Sequence, residues 1–424
     1  MRTNRIRLLP DGNAGRTLAL LGDRVSALWN AANYVCRQAF LAGGRVPGYK
    51  ALCAGLKAHE TYRALPSDIA QEVLKKLAEA WKAYFALRER WKKGALPGKP
   101  GLPRYRKRKD GSRPADFIPI KCGRSYAVDS RTVALTLPAD LRNGSGRISL
   151  PYRGLRRYDG KPGRAEIAFD AGRGRWYFRY AVKSPEPAPA QGGRVAGIDL
   201  GVRVLASLSI EGMETAIHFL GREVLKDWDY WGRKIAEHMA ELSHRPAGKR
   251  TSKRLRRLYR NRRARWEHAW EALAARIVSV LKARRVGRVV IGWPKDIRRE
   301  VDYTRRWNGR IHGFWSFDRA SRIIEKHCAR RGIRVERVLE HGTSETCPSC
   351  GSKDVARRPW SVLRCRACGL AMEANQAASR NIAKKSKPSL WDGAEAAPRS
   401  EALRWTKHRW ADASNPLQLE RLAA

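Results

Sequence analysis

The pattern of apolar and polar positions changes period several times along the chain, and each change marks an element or a boundary. Arg5 to Leu9 reads as a first strand. Apolar residues then recur three or four apart through V-S-A-L-W-N-A-A-N-Y-V-C-R-Q-A-F-L, the spacing of a helix with one buried face. Pro66-Ser67-Asp68 offers an N-cap for a second long helix, in which Leu74, Leu77, Trp81 and Phe85 share a face. G-A-L-P-G-K-P-G-L-P ends it, because Pro and Gly do not continue a helix. From about Ala115 to Lys183 the pattern turns to short alternating segments such as V-A-L-T-L, G-R-I-S-L and R-W-Y-F-R-Y-A-V. These predict antiparallel strands and a small β-barrel. S-P-E-P-A-P-A-Q-G-G, Ser184 to Gly193, has linker composition.

The second half opens on R-V-A-G-I-D-L-G-V-R-V-L-A-S-L-S, an apolar strand carrying one acid, Asp199, then a Gly turn and a second strand. An Asp inside such a run is unfavourable unless it binds a metal or bonds locally, so a metal ligand and a turn cap both stand as readings. A long basic helix follows, with Trp266, Trp270, Leu273, Ile277 and Leu281 as an apolar stripe in its second half and Arg filling the first. The strand V-G-R-V-V-I-G-W-P-K-D-I, a helix from Phe317 to Arg331 and the strand I-R-V-E-R-V-L-E ending at Glu340 come next.

Charge narrows the partners. The 424 residues carry 87 Lys and Arg against 40 Asp and Glu, a formal net charge of +47. A compact fold tolerates that self-repulsion poorly without a polyanion, and nucleic acid is the expected partner. The Arg-dense half-helix, with Arg254, Arg256, Arg257 and Arg260, suits phosphate contacts better than a merely solvated face. The length implies two to four domains at roughly 100–200 residues each. No signal-peptide core and no apolar run of membrane-spanning length occurs, so the expected location is the cytoplasm, at the nucleoid, with no membrane partner.

Of eight cysteines, Cys36, Cys53, Cys122 and Cys328 are scattered. The other four form C-P-S-C and C-R-A-C, separated by fourteen residues: Cys347, Cys350, Cys365 and Cys368. Two such knuckles close a tetrahedral structural zinc site, whereas a redox pair needs only one of them.

The order G-I-D-L-G, Arg-rich helix, V-V-I-G-W-P, E-H-G-T-S-E-T-C-P-S-C-G, C-R-A-C-G and N-Q-A-A-S-R-N-I resembles the transposon-encoded TnpB nucleases and the compact type V CRISPR effectors. The likeness covers most of Ala196 to Ala383; the front half is similar in layout only, with P-R-Y-R-K-R-K, including Arg104 and Arg106, like the family's basic crossing segment. The resemblance implies an RNA-guided DNA-targeting protein of α+β multidomain fold. An N-terminal β-barrel (wedge) domain, residues 1–15 and 110–185, is interrupted by a helical lobe, 16–109. An RNase H-like (RuvC) α/β nuclease domain, 193–342 and 370–390, carries an inserted four-cysteine zinc ribbon, 343–369, that binds target nucleic acid. No reading attaches to the tail, 391–424. The implied partners are a guide RNA and double-stranded DNA with a short flanking motif, and monomer and homodimer are both open.

Laid on this chain, the family's first catalytic Asp falls on Asp199. Its second acid usually ends the middle strand, where this chain has Gly292; Glu340, before the T-S segment, takes that role as in one branch of the family. The third falls on Asn375, which offers one neutral oxygen where Mg²⁺ wants charge. Three explanations stand: a natural binder that lost cleavage, an engineered inactivation, or Glu373 reaching in from two residues earlier, a shift that moves a side chain by a full step. The expectation is an endonuclease with Asp199 and Glu340 on catalytic Mg²⁺, Asn375 orienting a water, and cleavage reduced or absent. The alternative is a nuclease-dead RNA-guided binder that represses transcription, and more remotely an RNA-independent DNA-binding transposition factor.

Overall fold

A computed structural model describes all residues except 97, 107–116, 143–145, 172, 245–250, 295–307, 309, 315, 358–360, 394–399 and 414–424. Residues 107–109 of the basic crossing segment and 394–399 and 414–424 of the tail therefore lie outside the described residues. The chain divides into two units, Met1–Pro185 and Glu186–Ala424, with the boundary inside the Pro-rich linker. Among the described residues no helix is long and apolar enough to cross a membrane.

The first unit begins with β1 (Arg2–Leu8) and α1 (Gly12–Leu41), whose N-terminus is capped by Asp11 accepting from the Ala14 amide at 2.7 Å. Two short helices, α2 (Tyr49–Leu56) and α3 (Glu60–Arg63), lead to α4 (Ser67–Lys92). The cap expected for α4 is corrected: Pro66 occupies the N-cap without a side-chain bond, and Asp68 sits in the first turn, where a negative charge favours the helix dipole. Six strands follow, β2 (Phe117–Lys121), β3 (Tyr126–Val128), β4 (Thr132–Thr136), β5 (Arg147–Arg153), β6 (Lys161–Asp170) and β7 (Arg175–Lys183). With β1 they form one antiparallel sheet in the order β2-β6-β7-β1-β5-β4-β3. Alternate residues of these strands, Ile6, Ile118, Ile120 and Phe178, pack with Leu18, Leu21, Leu28, Leu74, Leu77 and Trp81 in a single core, and Phe85 closes its margin. The Trp81 indole donates to buried Asn33 Oδ1 at 3.1 Å, so its polar end is satisfied where water cannot reach.

The second unit is built on β8 (Arg194–Asp199), β9 (Val204–Ile210), β10 (Ile217–Leu220), α5 (Arg222–Ser243), α6 (Lys253–Ala283), β11 (Val286–Trp293), α7 (Phe317–Ala329) and β12 (Arg334–Leu339). The segments β13 (Val355–Ala356), β14 (Val362–Cys365) and β15 (Ala371–Glu373) form a separate small sheet, and α8 (Ala374–Lys384) follows. The stretch from 391, to which the sequence assigns no fold, adds β16 (Glu401–Trp405) and β17 (Trp410–Asp412) to the main sheet, whose order is β12-β11-β8-β9-β10-β16-β17. β16 pairs parallel with β10, and Trp410 and Trp405 pack against each other over Phe219 and the α6 side of the core. Helix α5, absent from the sequence expectation, pairs with the Arg-rich half of α6 through Ile235, Leu242 and Leu255.

Strand alternation divides this sheet between two covers. Ala196, Ile198, Val289, Ile291, Ile217 and Phe219 face the α6 stripe, all five of whose residues are buried. The intervening residues turn to the other face, where Val195 and Val290 pack on Ile382 and Ala383 of α8. Gly197 lets that helix lie directly on the strand: a Cβ there would stand 1.9 Å from the Ser379 carbonyl.

Candidate active site

The face under α8 gathers the chemistry. Asp199 ends β8 and pairs with Ser207, which pairs in turn with His218, so period-two alternation aims all three side chains to the α8 side. Ser207 and Ser209 hydroxyls bond Ser379 of α8 at 3.3 and 2.6 Å. On the other flank Ile291 pairs parallel with Ile198, placing Gly292 beside Asp199. Glu340 leaves the end of β12, tied back by its amide to the Trp293 carbonyl and by its carbonyl to Thr343.

Gly292 explains how the two acids meet. A Cβ at 292 would approach Glu340 Oε2 to 3.0 Å and Ile382 Cδ1 to 2.7 Å, so the missing side chain leaves the space that the Glu340 carboxylate fills. Glu340 Oε2 is buried with no hydrogen-bond partner. Burial and the Asp199 charge push the Glu340 carboxyl up to about 8. Burial, followed by the charge of Glu373, pushes Asp199 up to about 6, against the opposite pull of His218 and Arg357. A buried carboxylate oxygen without a donor, next to acids that repel one another, is stabilised by a cation, and the donor set suits a hard divalent ion such as Mg²⁺.

Asn375 lies in the first turn of α8, but its amide is turned to a neighbour: Nδ2 donates to Glu373 Oε1 at 2.5 Å. Glu373 is the N-cap, its Oε2 accepting from the Gln376 amide at 2.8 Å. The same oxygen stands 3.0 Å from His218 Nε2, a close polar contact whose angles fall short of a hydrogen bond. Burial alone would raise the Glu373 carboxyl; His218, the Gln376 amide and Asn375 outweigh it and hold it below its ordinary value.

His218 is absent from the sequence expectation. A histidine within the short strand I-H-F-L reads as incidental until the pairing with Ser207 sets it level with Asp199. The role of the N-I pair was equally hidden: Asn381 donates to the Thr343 and Thr346 carbonyls at 2.8 and 2.7 Å, and Lys384 to that of Pro348 at 2.9 Å. Helix α8 thereby holds the loop that carries Glu340 to the first cysteine knuckle. Beside it opens a cavity of about 740 Å³ lined partly by Lys353, Arg357, Lys384 and Lys385. Trp293, unassigned from sequence, packs edge-on to Phe317 and lies under the Arg337 guanidinium at 4.5 Å.

The four thiols of Cys347, Cys350, Cys365 and Cys368 lie within 4.8 Å of one another, with Sγ pairs at 3.7 and 3.6 Å. Sulfurs on a zinc tetrahedron with bonds of about 2.3 Å stand about 3.8 Å apart, so the set fits that ion. The core of this ribbon is small: besides two of the cysteines it holds Leu363, Leu370, Met372 and Ala377.

Of the basic residues singled out, Arg254, Arg256 and Arg257 are exposed on the first half of α6, and Arg260 is half-buried. Arg254 stands 3.6 Å from Glu241. In the first unit Arg104 is exposed, but the Arg106 guanidinium lies 3.5 Å from the Phe117 ring centroid and 4.7 Å from that of Trp29.

Residues 177–298 match the OrfB_IS605 family, described as a probable transposase, and residues 317–382 match the Cas12f1-like TNB domain. The TnpB-like protein ORF457 of Acidianus two-tailed virus is 29% identical over 398 residues, 86% of this chain and 82% of its own. The chain is thus similar to the TnpB and type V CRISPR effector proteins. The CRISPR-associated endodeoxyribonuclease Cas12f1 of Sulfoacidibacillus thermotolerans is 23% identical over 235 residues, 52% of each chain, so the match spans about half that relative's length. In fold, the Cas12f1 chain of a Cas12f1–sgRNA–target DNA complex is similar with a TM-score of 0.57 at 17% identity, covering 89% of this chain and 83% of its own.

Proposed function

We propose that this chain is an RNA-guided DNA-targeting protein of the TnpB and type V effector kind, whose second unit carries a RuvC-type, Mg²⁺-dependent endonuclease site with Asn375 at the position of the family's third acid. The observation that carries the reading is the meeting of Asp199 with the donor-free carboxylate oxygen of Glu340 over Gly292, at the foot of α8. Asp199 and Glu340 would hold the ion, and Mg²⁺ bound there supplies charge to stabilise a phosphodiester under attack and makes a nearby water more acidic. The four-cysteine ribbon holds zinc as a structural ion, and the cavity beside Glu340, with its lysines and Arg357, offers a path for a single strand toward the acids. Sequence recognition falls to guide pairing, with the basic residues contacting backbone.

The test is cleavage of a double-stranded target by the protein with its co-purified RNA and Mg²⁺, beside Asn375→Asp. If Asn375 itself is the deficient ligand, the added carboxylate restores charge for the second ion and the variant cuts roughly tenfold faster. Equal rates would remove Asn375 as the weak point. Inert protein of both kinds that still binds guided DNA would favour the binder reading, and protein that purifies free of RNA would favour the transposition factor.

The basic half of α6 makes a separate prediction. Changing Arg254, Arg256, Arg257 and Arg260 to Gln is expected to lower nucleic-acid affinity and to flatten its salt dependence by roughly one unit per lost phosphate contact, read from binding isotherms at several ionic strengths. An unchanged slope would assign that face to solvent.

A further inference from the structure

We propose that Glu373, positioned by His218 and Asn375, supplies the third carboxylate of the metal site, so that the chain keeps a three-acid set despite the Asn at 375. This rests on the nuclease reading above and concerns which side chain completes it.

The geometry supports the assignment at each atom. Glu373 ends β15 and caps α8, and its Oε2 stands 3.0 Å from His218, which strand register sets level with Asp199 through Ser207. Its two oxygens are oriented by three groups: Asn375 Nδ2 at 2.5 Å, the Gln376 amide at 2.8 Å and His218 Nε2 at 3.0 Å. Asn375 thus acts as a donor to the neighbouring carboxylate, a use for an amide that an Asp at the same position lacks. His218 is fully buried and its Nδ1 has no hydrogen-bond partner, so a costly polar group is kept at the one place where it faces Glu373. The independent sign of a cation is Glu340 Oε2, buried without a donor across the site. A carboxylate held by neighbours in the second rank, which fix its direction toward an ion, is the usual construction of a metal ligand. The two-residue displacement from 375 to 373 is taken up by the change from strand to helix: Glu373 is the last extended residue, and Asn375 has already entered the turn.

The experiment uses the full-length, zinc-loaded protein freed of nucleic acid, and Mn²⁺ as a paramagnetic probe, with free Mn²⁺ read by electron paramagnetic resonance. Glu373→Gln keeps the N-cap oxygen and the chain's fold, checked by circular dichroism and zinc content. It is expected to weaken Mn²⁺ binding by about tenfold or more; His218→Gln should weaken it severalfold and Asn375→Ala less than about threefold. Glu373→Gln within about twofold of the unaltered protein, with Asn375→Ala the more damaging, would overturn the assignment and leave the nuclease reading standing. If the unaltered protein binds no Mn²⁺ yet still binds guided DNA, the metal role of Glu373 and the nuclease part of the reading both fall.

Discussion

Asp199→Asn is expected to abolish Mg²⁺-dependent cleavage of guided target DNA, by about a thousandfold or more, while stabilising the metal-free protein. The two effects have one cause. Asp199 is packed among buried groups near Glu373 and Glu340, which is unfavourable without a cation and necessary with one. A thousandfold loss corresponds to about 4 kcal/mol of transition-state stabilisation, read from single-turnover cleavage with target binding followed separately. On the stability side, the folded-state carboxyl sits at about 6, above the ordinary value of about 3.9, so the folded protein binds this proton more tightly than the unfolded chain does. The group's contribution is fully present below about pH 4 and is lost as pH rises through about 6. In the presence of a chelator, Asp199→Asn should therefore raise the unfolding midpoint by a few degrees at pH 7.5, on the order of 1–2 kcal/mol once water around the half-buried carboxylate is allowed for, and the gap should close toward pH 4. A variant that loses cleavage without gaining stability at pH 7.5 would contradict the crowded-acid arrangement.

Loss of the ribbon metal has the second large consequence. Cys347→Ser, or prolonged exposure to a strong chelator, is expected to unfold the ribbon and to remove cleavage and tight target binding together. With so small a core, the ribbon has little apolar burial to hold it, and a structural zinc site contributes on the order of 10 kcal/mol of folding free energy. The damage should spread because both chain connections of the ribbon lead into the acids. Its entry loop follows Glu340 and is pinned by Asn381 and Lys384, and its exit strand ends at Glu373. Metal analysis, thermal unfolding and target-binding isotherms on the same preparations check this. About one zinc per chain is expected; a chain without zinc, or Cys347→Ser with unchanged unfolding, would refute it.

Much of this molecule was legible in its residues because the signals are local. The α6 stripe, the Phe317 helix and the cysteine knuckles each follow from side-chain period or ligand spacing, which are properties of neighbours in sequence. Helix α5 was passed over although its signal is local: R-E-V-L-K-D-W-D-Y-W-G-R-K-I-A-E-H-M carries apolar residues at helical spacing, and its buried side pairs with the charged half of α6. The fate of the tail escaped because its signal is not local: β16 and β17 are short, and only the open edge of β10 makes strands of them.

The sequence by itself carried the likeness to the TnpB and type V proteins, the excess of basic charge, the four-thiol ribbon and the presence of Asp199 at the end of an apolar strand, since all of these lie in composition or in contiguous motifs. Tertiary structure decided which groups surround that Asp. Glu340 reaches it because Gly292, 48 positions earlier in the numbering, leaves a gap in the adjoining strand; His218 reaches Glu373 because antiparallel register sets it level with Ser207 and Asp199. The physical reason is that strand pairing and the closeness of α8 to Gly197 and Gly292 place side chains by distance in space, and no spacing along the chain encodes that distance.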